Sequence, residues 1–136
     1  MIDKKPNESY QEWRDRVIDK ISPSFCGAKW YNATIWLNSG STASCHHPPA
    51  HKIPLEEVKS NYKAIHNTKY KKMVRKQMLE GERPKECEYC WKVEDLGKNY
   101  VSDRTYKSVI YKEQALEEAS KMDWQEDVPL KTLEIA

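Results

Sequence analysis

The sequence predicts an α+β domain in which a β-hairpin and several short helices pack around a four-cysteine metal site, with a final strand at the C-terminus. Two observations lead to this prediction. Apolar residues recur at helical spacing in some stretches and alternate in others. Two single cysteines are followed by a CxxC pair: Cys26, Cys45, Cys87 and Cys90. The 136 residues are enough for one domain, which we expect to span 1–136.

The composition indicates a thin hydrophobic core. Only 38% of the residues are hydrophobic, and the mean hydropathy is −0.93. A domain of this size has a net stability of about 5–15 kcal/mol. A structural metal contributes about 10–16 kcal/mol in small modules. We therefore expect a bound metal centre to decide whether the chain folds.

The sequence shows neither a signal peptide nor an apolar run long enough to cross a membrane. We therefore expect a cytoplasmic protein without membrane contact, in which thiols stay reduced. Four cysteines in that compartment favour a metal site over two disulfides. The net charge of +2 does not by itself indicate a partner.

A β-hairpin is predicted between the first two cysteines. The stretch 28–37 is rich in aromatic and β-branched residues and predicts one strand, and 41–45 predicts its return. Gly40 would adopt the positive φ that the turn between them requires. The return strand would bring Cys45 back near Cys26, so that the hairpin supplies two of the four thiolates.

Most of the remaining chain is predicted to be helical. Helical spacing or helix-capping residues predict helices over 9–21, 54–61, 67–80, 86–96 and 112–122. The polar stretch 97–106 predicts a loop, in which Asp103 and Arg104 form an ion pair or contact a substrate. Residues 130–136 alternate as in a strand.

The helix predicted over 67–80 has an apolar face and a basic face. The residues expected to face inward are Tyr70, Met73, Val74 and Met78. The basic residues on the other faces are Lys69, Lys71, Lys72, Arg75 and Lys76. The basic helix 69–76 indicates either a solvated surface or, in a zinc module, a nucleic-acid contact.

The four cysteines have the chemistry of one thiolate metal site. Four soft thiolates suit tetrahedral zinc or an iron–sulfur cluster. The start of a helix favours the thiolate form of Cys87 and Cys90, and Trp91 would shield the site from water. The spacing of Cys26 and Cys45 is wider than in a zinc knuckle. We therefore favour an iron–sulfur cluster, with zinc as the alternative.

Three histidines follow the second cysteine: His46, His47 and His51. They are either metal ligands or groups that shield the site and donate hydrogen bonds to its sulfurs. Four cysteines already complete a tetrahedral set, which favours the second role. A hydrolase or transferase that uses Cys45 with His46 or His47 is disfavoured, because adjacent residues in a strand point to opposite faces.

The cysteine spacing resembles that of a known family. The pattern C-x13-G-x4-C from Cys26 through Gly40 to Cys45, followed by C-x2-C at Cys87 and Cys90, is similar to the auxiliary-cluster module of radical S-adenosylmethionine enzymes. This module is called SPASM when it holds two clusters and twitch when it holds one. The extra cysteines of the two-cluster form are missing here. The surrounding sequence also resembles twitch-containing radical enzymes, some of them from phage genomes.

The resemblance implies a cluster, of the [4Fe–4S] type, held by Cys26, Cys45, Cys87 and Cys90. Such a cluster passes electrons or helps to place a peptide or other substrate. The CxxxCxxC loop that cleaves S-adenosylmethionine is absent. Residues 130–136 resemble the first strand of the catalytic barrel, which this loop would follow. The resemblance therefore implies a domain that is not catalytic alone, with its radical core on another chain or lost.

Overall fold

The computed structural model describes residues 3–136 and has an α+β fold built on a four-stranded mixed sheet. The strands are β1 (Asn32–Trp36), β2 (Ser41–Ala43), β3 (His51–Lys52) and β4 (Thr132–Ile135). Their order is β3-β2-β1-β4, with β4 parallel to β1 and the other neighbours antiparallel. The α-helices are α1 (Tyr10–Arg16), α2 (Ile18–Ile21), α3 (Ala28–Tyr31), α4 (Leu55–Ser60), α5 (Lys69–Leu79), α6 (Glu88–Glu94), α7 (Asp103–Ser108) and α8 (Glu113–Lys121). Short 3₁₀ turns lie at Tyr62–Ile65 and Lys85–Cys87.

The predicted hairpin is confirmed in β1 and β2. Thr34 lies opposite Ala43, and Gly40 adopts a φ of +64° in the turn. A positive φ is accessible to glycine at little steric cost, which explains the residue at this position. The return strand ends at Ala43, so Cys45 lies just beyond the sheet rather than within it.

The first strand of the hairpin begins later than predicted. Residues 28–31 form the helical turn α3, and the strand starts only at Asn32. Trp30 and Tyr31 are almost fully buried, and Trp30 stacks on Phe25 with ring centroids 4.6 Å apart. Core packing of these aromatic rings therefore outweighs their local preference for a strand.

The N-terminal helix is present but interrupted. Ser9 and Glu12 form a capping box at its start, in which each side chain accepts from the other residue's backbone N–H. The predicted single helix is divided at Val17 into α1 and α2. Trp13 is 1% exposed, which confirms it as a core residue.

The ends of α5 agree with the capping residues in the sequence. The Thr68 hydroxyl accepts a hydrogen bond from the Lys71 backbone N–H at 3.1 Å. Gly81 follows the helix with a φ of +80°. The predicted inward face was only half right, because Val74 and Met78 are buried whereas Tyr70 and Met73 are about half exposed.

Two basic residues of α5 take the inward positions instead. Lys71 and Arg75 are 2% and 1% exposed. Arg75 donates from Nε to the Lys29 carbonyl at 2.7 Å, from Nη1 to Asn67 Oδ1 at 2.8 Å and from Nη2 to the His66 carbonyl at 2.9 Å. These acceptors satisfy the guanidinium inside the protein, where an unpartnered polar group would be costly.

The C-terminal part contains one more helix than predicted. Asp103–Ser108 forms α7 inside the stretch predicted to be a loop. The buried Ser108 hydroxyl accepts from the Gly27 backbone N–H at 2.8 Å, so a contact distant in sequence stabilises this helix. The next helix, α8, is confirmed, with Leu116 and Ala119 fully buried.

The predicted C-terminal strand is confirmed as β4, which pairs with β1 over Thr132–Ile135. Leu133 and Ile135 share one face of this edge strand and are about half exposed. Within residues 3–136, no helix combines the length and the apolar character needed to cross a membrane.

Candidate metal centre

The four cysteines come from three parts of the fold and line one cavity. Cys26 precedes α3, Cys45 follows β2, and the CxxC pair spans the start of α6. All four are free thiols with 7–8% exposure. The cavity, including its open mouth, measures about 350 Å³. The other residues in its wall are Lys29, His47, Pro48, Met78, Trp91, Asp103, Arg104 and Lys107.

Local structure explains the position of the CxxC pair. Cys87 ends the 3₁₀ turn Lys85–Cys87, and Cys90 lies one helical turn further on. Residues at i and i+3 lie on the same side of such a turn. Trp91 follows directly and is 7% exposed, with its indole N–H donating to the Pro84 carbonyl at 2.8 Å. The indole therefore occupies the cavity wall.

The sulfur atoms are more widely spaced than around a single zinc ion. Zn–S bonds of about 2.3 Å in a tetrahedron place the sulfurs about 3.8 Å apart. Among residues 3–136, the one group of three or more ligand atoms within 4.8 Å of one another is Cys45, His46 and His47. No three cysteine sulfurs of that region are so close. As placed, the four thiols therefore do not form a tetrahedral zinc site.

The histidines divide into two groups. His47 Nε2 lies 2.5 Å from Asp103 Oδ2, and the His47 ring stacks on Tyr89 with centroids 4.1 Å apart. Its neighbour His46 is exposed and completes the compact group with Cys45. This group, like the four cysteines, could bind a metal ion. His51 instead contacts the Thr68 hydroxyl at 2.9 Å and does not line the cavity.

Burial changes the acidity of the thiols in the opposite direction to our expectation. Loss of water contact raises the pKa of Cys87 to about 12 and that of Cys90 to about 11, and it also raises the pKa of Cys45. The expected preference for thiolates at a helix start is thus outweighed by desolvation. Metal binding must therefore displace protons from these sulfurs, so metal affinity should increase with pH.

Two buried cations beside the cavity were not recognised in the sequence. Lys29 is 2% exposed and forms an ion pair with Glu86. Arg104 is also 2% exposed; it does not pair with the adjacent Asp103. Its partners are Glu94, with Nε–Oε2 at 2.9 Å, and Asp19, with Nη2–Oδ1 at 2.8 Å. The one sequence signal for Lys29 was its position three residues after Cys26, on the same helical turn.

The basic helix offers few free charges to a partner. Lys71 and Arg75 are buried, as described above. Lys72 Nζ lies 3.0 Å from Asp127 Oδ1, and Lys76 Nζ lies 3.0 Å from Glu80 Oε1. Among the basic residues of 69–76 that reach the surface, Lys69 is the one for which no ion pair is found within 3–136.

Comparisons with known proteins give no relative from which a role can be transferred. No family model matches the chain, and neither a curated protein nor a solved structure matches it.

Proposed function

We propose that this chain is an auxiliary iron–sulfur domain of the twitch type that serves a radical S-adenosylmethionine enzyme. In this proposal Cys26, Cys45, Cys87 and Cys90 hold a [4Fe–4S] cluster, and the catalytic core lies on another chain. The observation that carries the proposal is the convergence of four buried, free thiols on one cavity.

The donor set and its surroundings fit such a cluster. Thiolates are the usual protein ligands of iron–sulfur clusters. No three of these sulfurs lie as close together as the ligands of one zinc ion among residues 3–136, which is compatible with a larger centre. Trp91 and Met78 contribute apolar wall, and a dry wall limits hydrolysis of the cluster and influences its potential. The cluster would supply one-electron transfer or a binding point for part of a substrate.

The chain itself would position the cluster and protect it. The hairpin brings Cys45 back towards Cys26, and the turn before α6 presents the other pair. Because the sequence lacks CxxxCxxC, we expect the purified chain not to cleave S-adenosylmethionine reductively. A catalytic partner chain with that motif would supply this step.

A four-cysteine zinc module that binds nucleic acid through residues 69–76 is the second candidate. The compact Cys45, His46 and His47 group could also bind zinc, although with one of the four cysteines. The burial of Lys71 and Arg75 counts against the nucleic-acid part, because buried cations cannot neutralise phosphates.

Metal analysis of protein purified without oxygen distinguishes the two candidates. We expect about four iron and four sulfide per chain and a broad brown absorbance. Cys87→Ala should lose most of both, whereas His51→Ala, a histidine outside the cavity wall, should keep them. One zinc per chain in a colourless sample, with neither iron nor sulfide, would overturn the proposal and favour the zinc module.

A further inference from the structure

We infer that the buried Lys29–Glu86 ion pair sets the reduction potential of the four-cysteine centre, with Lys29 raising the potential and Glu86 lowering it. The inference rests on the proposed function and deepens it, because it assigns a role in tuning electron transfer to two residues that are not ligands.

Each residue of the pair lies close in sequence to one of the cysteines. Lys29 lies in α3, three residues after Cys26, and its side chain lines the cavity. Glu86 immediately precedes Cys87 in the 3₁₀ turn. The Lys29 and Glu86 side chains are 2% and 9% exposed, so water screens their charges very little.

The charge of Lys29 acts directly on the sulfurs. The Lys29 side chain lines the same cavity as the four sulfurs, and its ammonium group is held there by the Glu86 carboxylate. A buried cation in this position would stabilise negative charge on thiolates that hold a metal centre. Adding an electron to the centre adds negative charge, which the same cation also stabilises.

Other cations at the cavity are less suited to this role. Arg104 forms ion pairs with Glu94 and with Asp19, which it shares with Arg14, so these carboxylates offset its charge. Lys107 is partly exposed, so water weakens its field. Lys29 has a single acidic partner, and the second oxygen of Glu86 has no hydrogen-bond partner among the described residues. Lys29 and Glu86 are thus a nearly fully buried cation and anion beside the cysteines, whereas the Asp103 carboxylate in the cavity wall is partly exposed.

A buried ion pair is costly to desolvate, and an apolar pair of similar size is often as stable. Stability alone therefore gives a weak reason for this pair. An electrostatic effect on the adjacent centre gives a specific reason, because the two charges act on it with opposite signs.

The experiment uses three variants of the full chain: Lys29→Met, Glu86→Gln and the double variant. The midpoint potential of the iron-loaded protein is measured by redox titration with mediators, together with iron and sulfide content. We expect Lys29→Met to shift the potential to more negative values and Glu86→Gln to more positive values. The double variant should lie between the two. Lys85→Met, an exposed neighbour in the same turn, should leave the potential unchanged.

Opposite shifts distinguish charge from packing. Looser packing would admit water in both single variants and shift their potentials in the same direction. Same-direction shifts, or no shift, would overturn the inference while the iron content still supports the proposed function. If Lys29→Met cannot hold iron, the Glu86→Gln variant decides: a more positive potential supports the inference, and a more negative or unchanged potential overturns it. A wild-type chain with zinc and no iron would overturn both proposals.

Discussion

Two pairs of buried cations lie in different regions of the molecule, and the two regions satisfy them differently. On α5, Lys71 and Arg75 donate to carbonyl, amide and hydroxyl oxygens, and neither forms an ion pair within 3–136. Beside the cysteine cavity, Lys29 and Arg104 are paired with carboxylates. The cations of α5 thus connect neutral groups of the core, whereas those of the cavity belong to a balanced set of charges.

The acidity of the four groups reflects this difference. Burial lowers the pKa of Lys71 to about 7 and that of Arg75 to about 10. For Lys29 and Arg104 burial acts in the same direction, but the neighbouring negative charges outweigh it and raise the pKa. The surroundings therefore disfavour the charged form of the α5 cations and favour the charged form of the cations at the cavity. This contrast can be tested with three kinds of variant.

The largest effect is expected from Arg75→Met. The methionine would leave the buried Lys29 and His66 carbonyls without this donor, and Asn67 Oδ1 would keep only the Val128 backbone N–H. Unsatisfied buried groups cost about 1–3 kcal/mol each, so we expect a loss of about 4 kcal/mol in the free energy of unfolding. Urea unfolding at equal metal content measures it. Arg83→Met, at an exposed ion pair, is the control and should lose less than about 1 kcal/mol.

A somewhat smaller effect is expected from Arg104→Met. This change leaves Glu94 as an uncompensated, nearly buried carboxylate, which costs about 3 kcal/mol. Adding Glu94→Gln should recover part of that loss, because the stranded charge is then removed. The α5 cations have no equivalent acidic partner to remove. If urea unfolding shows that Arg104→Met with Glu94→Gln is no more stable than Arg104→Met alone, the claim that Arg104 balances the charge of Glu94 is wrong.

The smallest effect concerns the pH dependence of stability at Lys71. Its pKa falls from an ordinary value of 10.5 to about 7 in the folded protein, so the unfolded chain binds more protons between these values. The contribution of Lys71 to stability should therefore rise with pH across this window, by about 2 kcal/mol from pH 7.5 to 9.5. The measurement compares urea unfolding of the wild type and Lys71→Met over this range. The Lys71 contribution is refuted if both proteins show the same slope.

The sequence predicted the elements whose signals are local. The turn at Gly40 and the limits of α5 at Thr68 and Gly81 follow from backbone preferences of single residues. The buried face of α8 follows from helical periodicity in residues that pack inward. The convergence of the four cysteines was also foreseeable, since a hairpin returns the chain and a CxxC pair occupies one turn.

The missed features depend on contacts between distant residues. Periodicity assigned Lys71 and Arg75 to the surface because it treats charged residues as solvated. Their acceptors are backbone carbonyls and polar side chains that only the folded chain brings together. Likewise, Lys29 and Glu86 are 57 residues apart in sequence, and no local pattern links them. For the same reason, the neighbours Asp103 and Arg104 suggested an ion pair with each other, and the partners Glu94 and Asp19 were missed.

The distance in sequence between the walls of the cavity has a consequence for biosynthesis. The Arg104 carbonyl lies 4.0 Å from Cys26 Sγ, yet 78 positions separate the two residues. At about 5–20 residues per second, a ribosome needs about 4–16 s to add them. During this interval Cys26 lacks its later contacts with α7. The cavity wall around this thiol is therefore completed only after α7 has been synthesised, so a centre held by all four cysteines would be enclosed late in the synthesis of the chain.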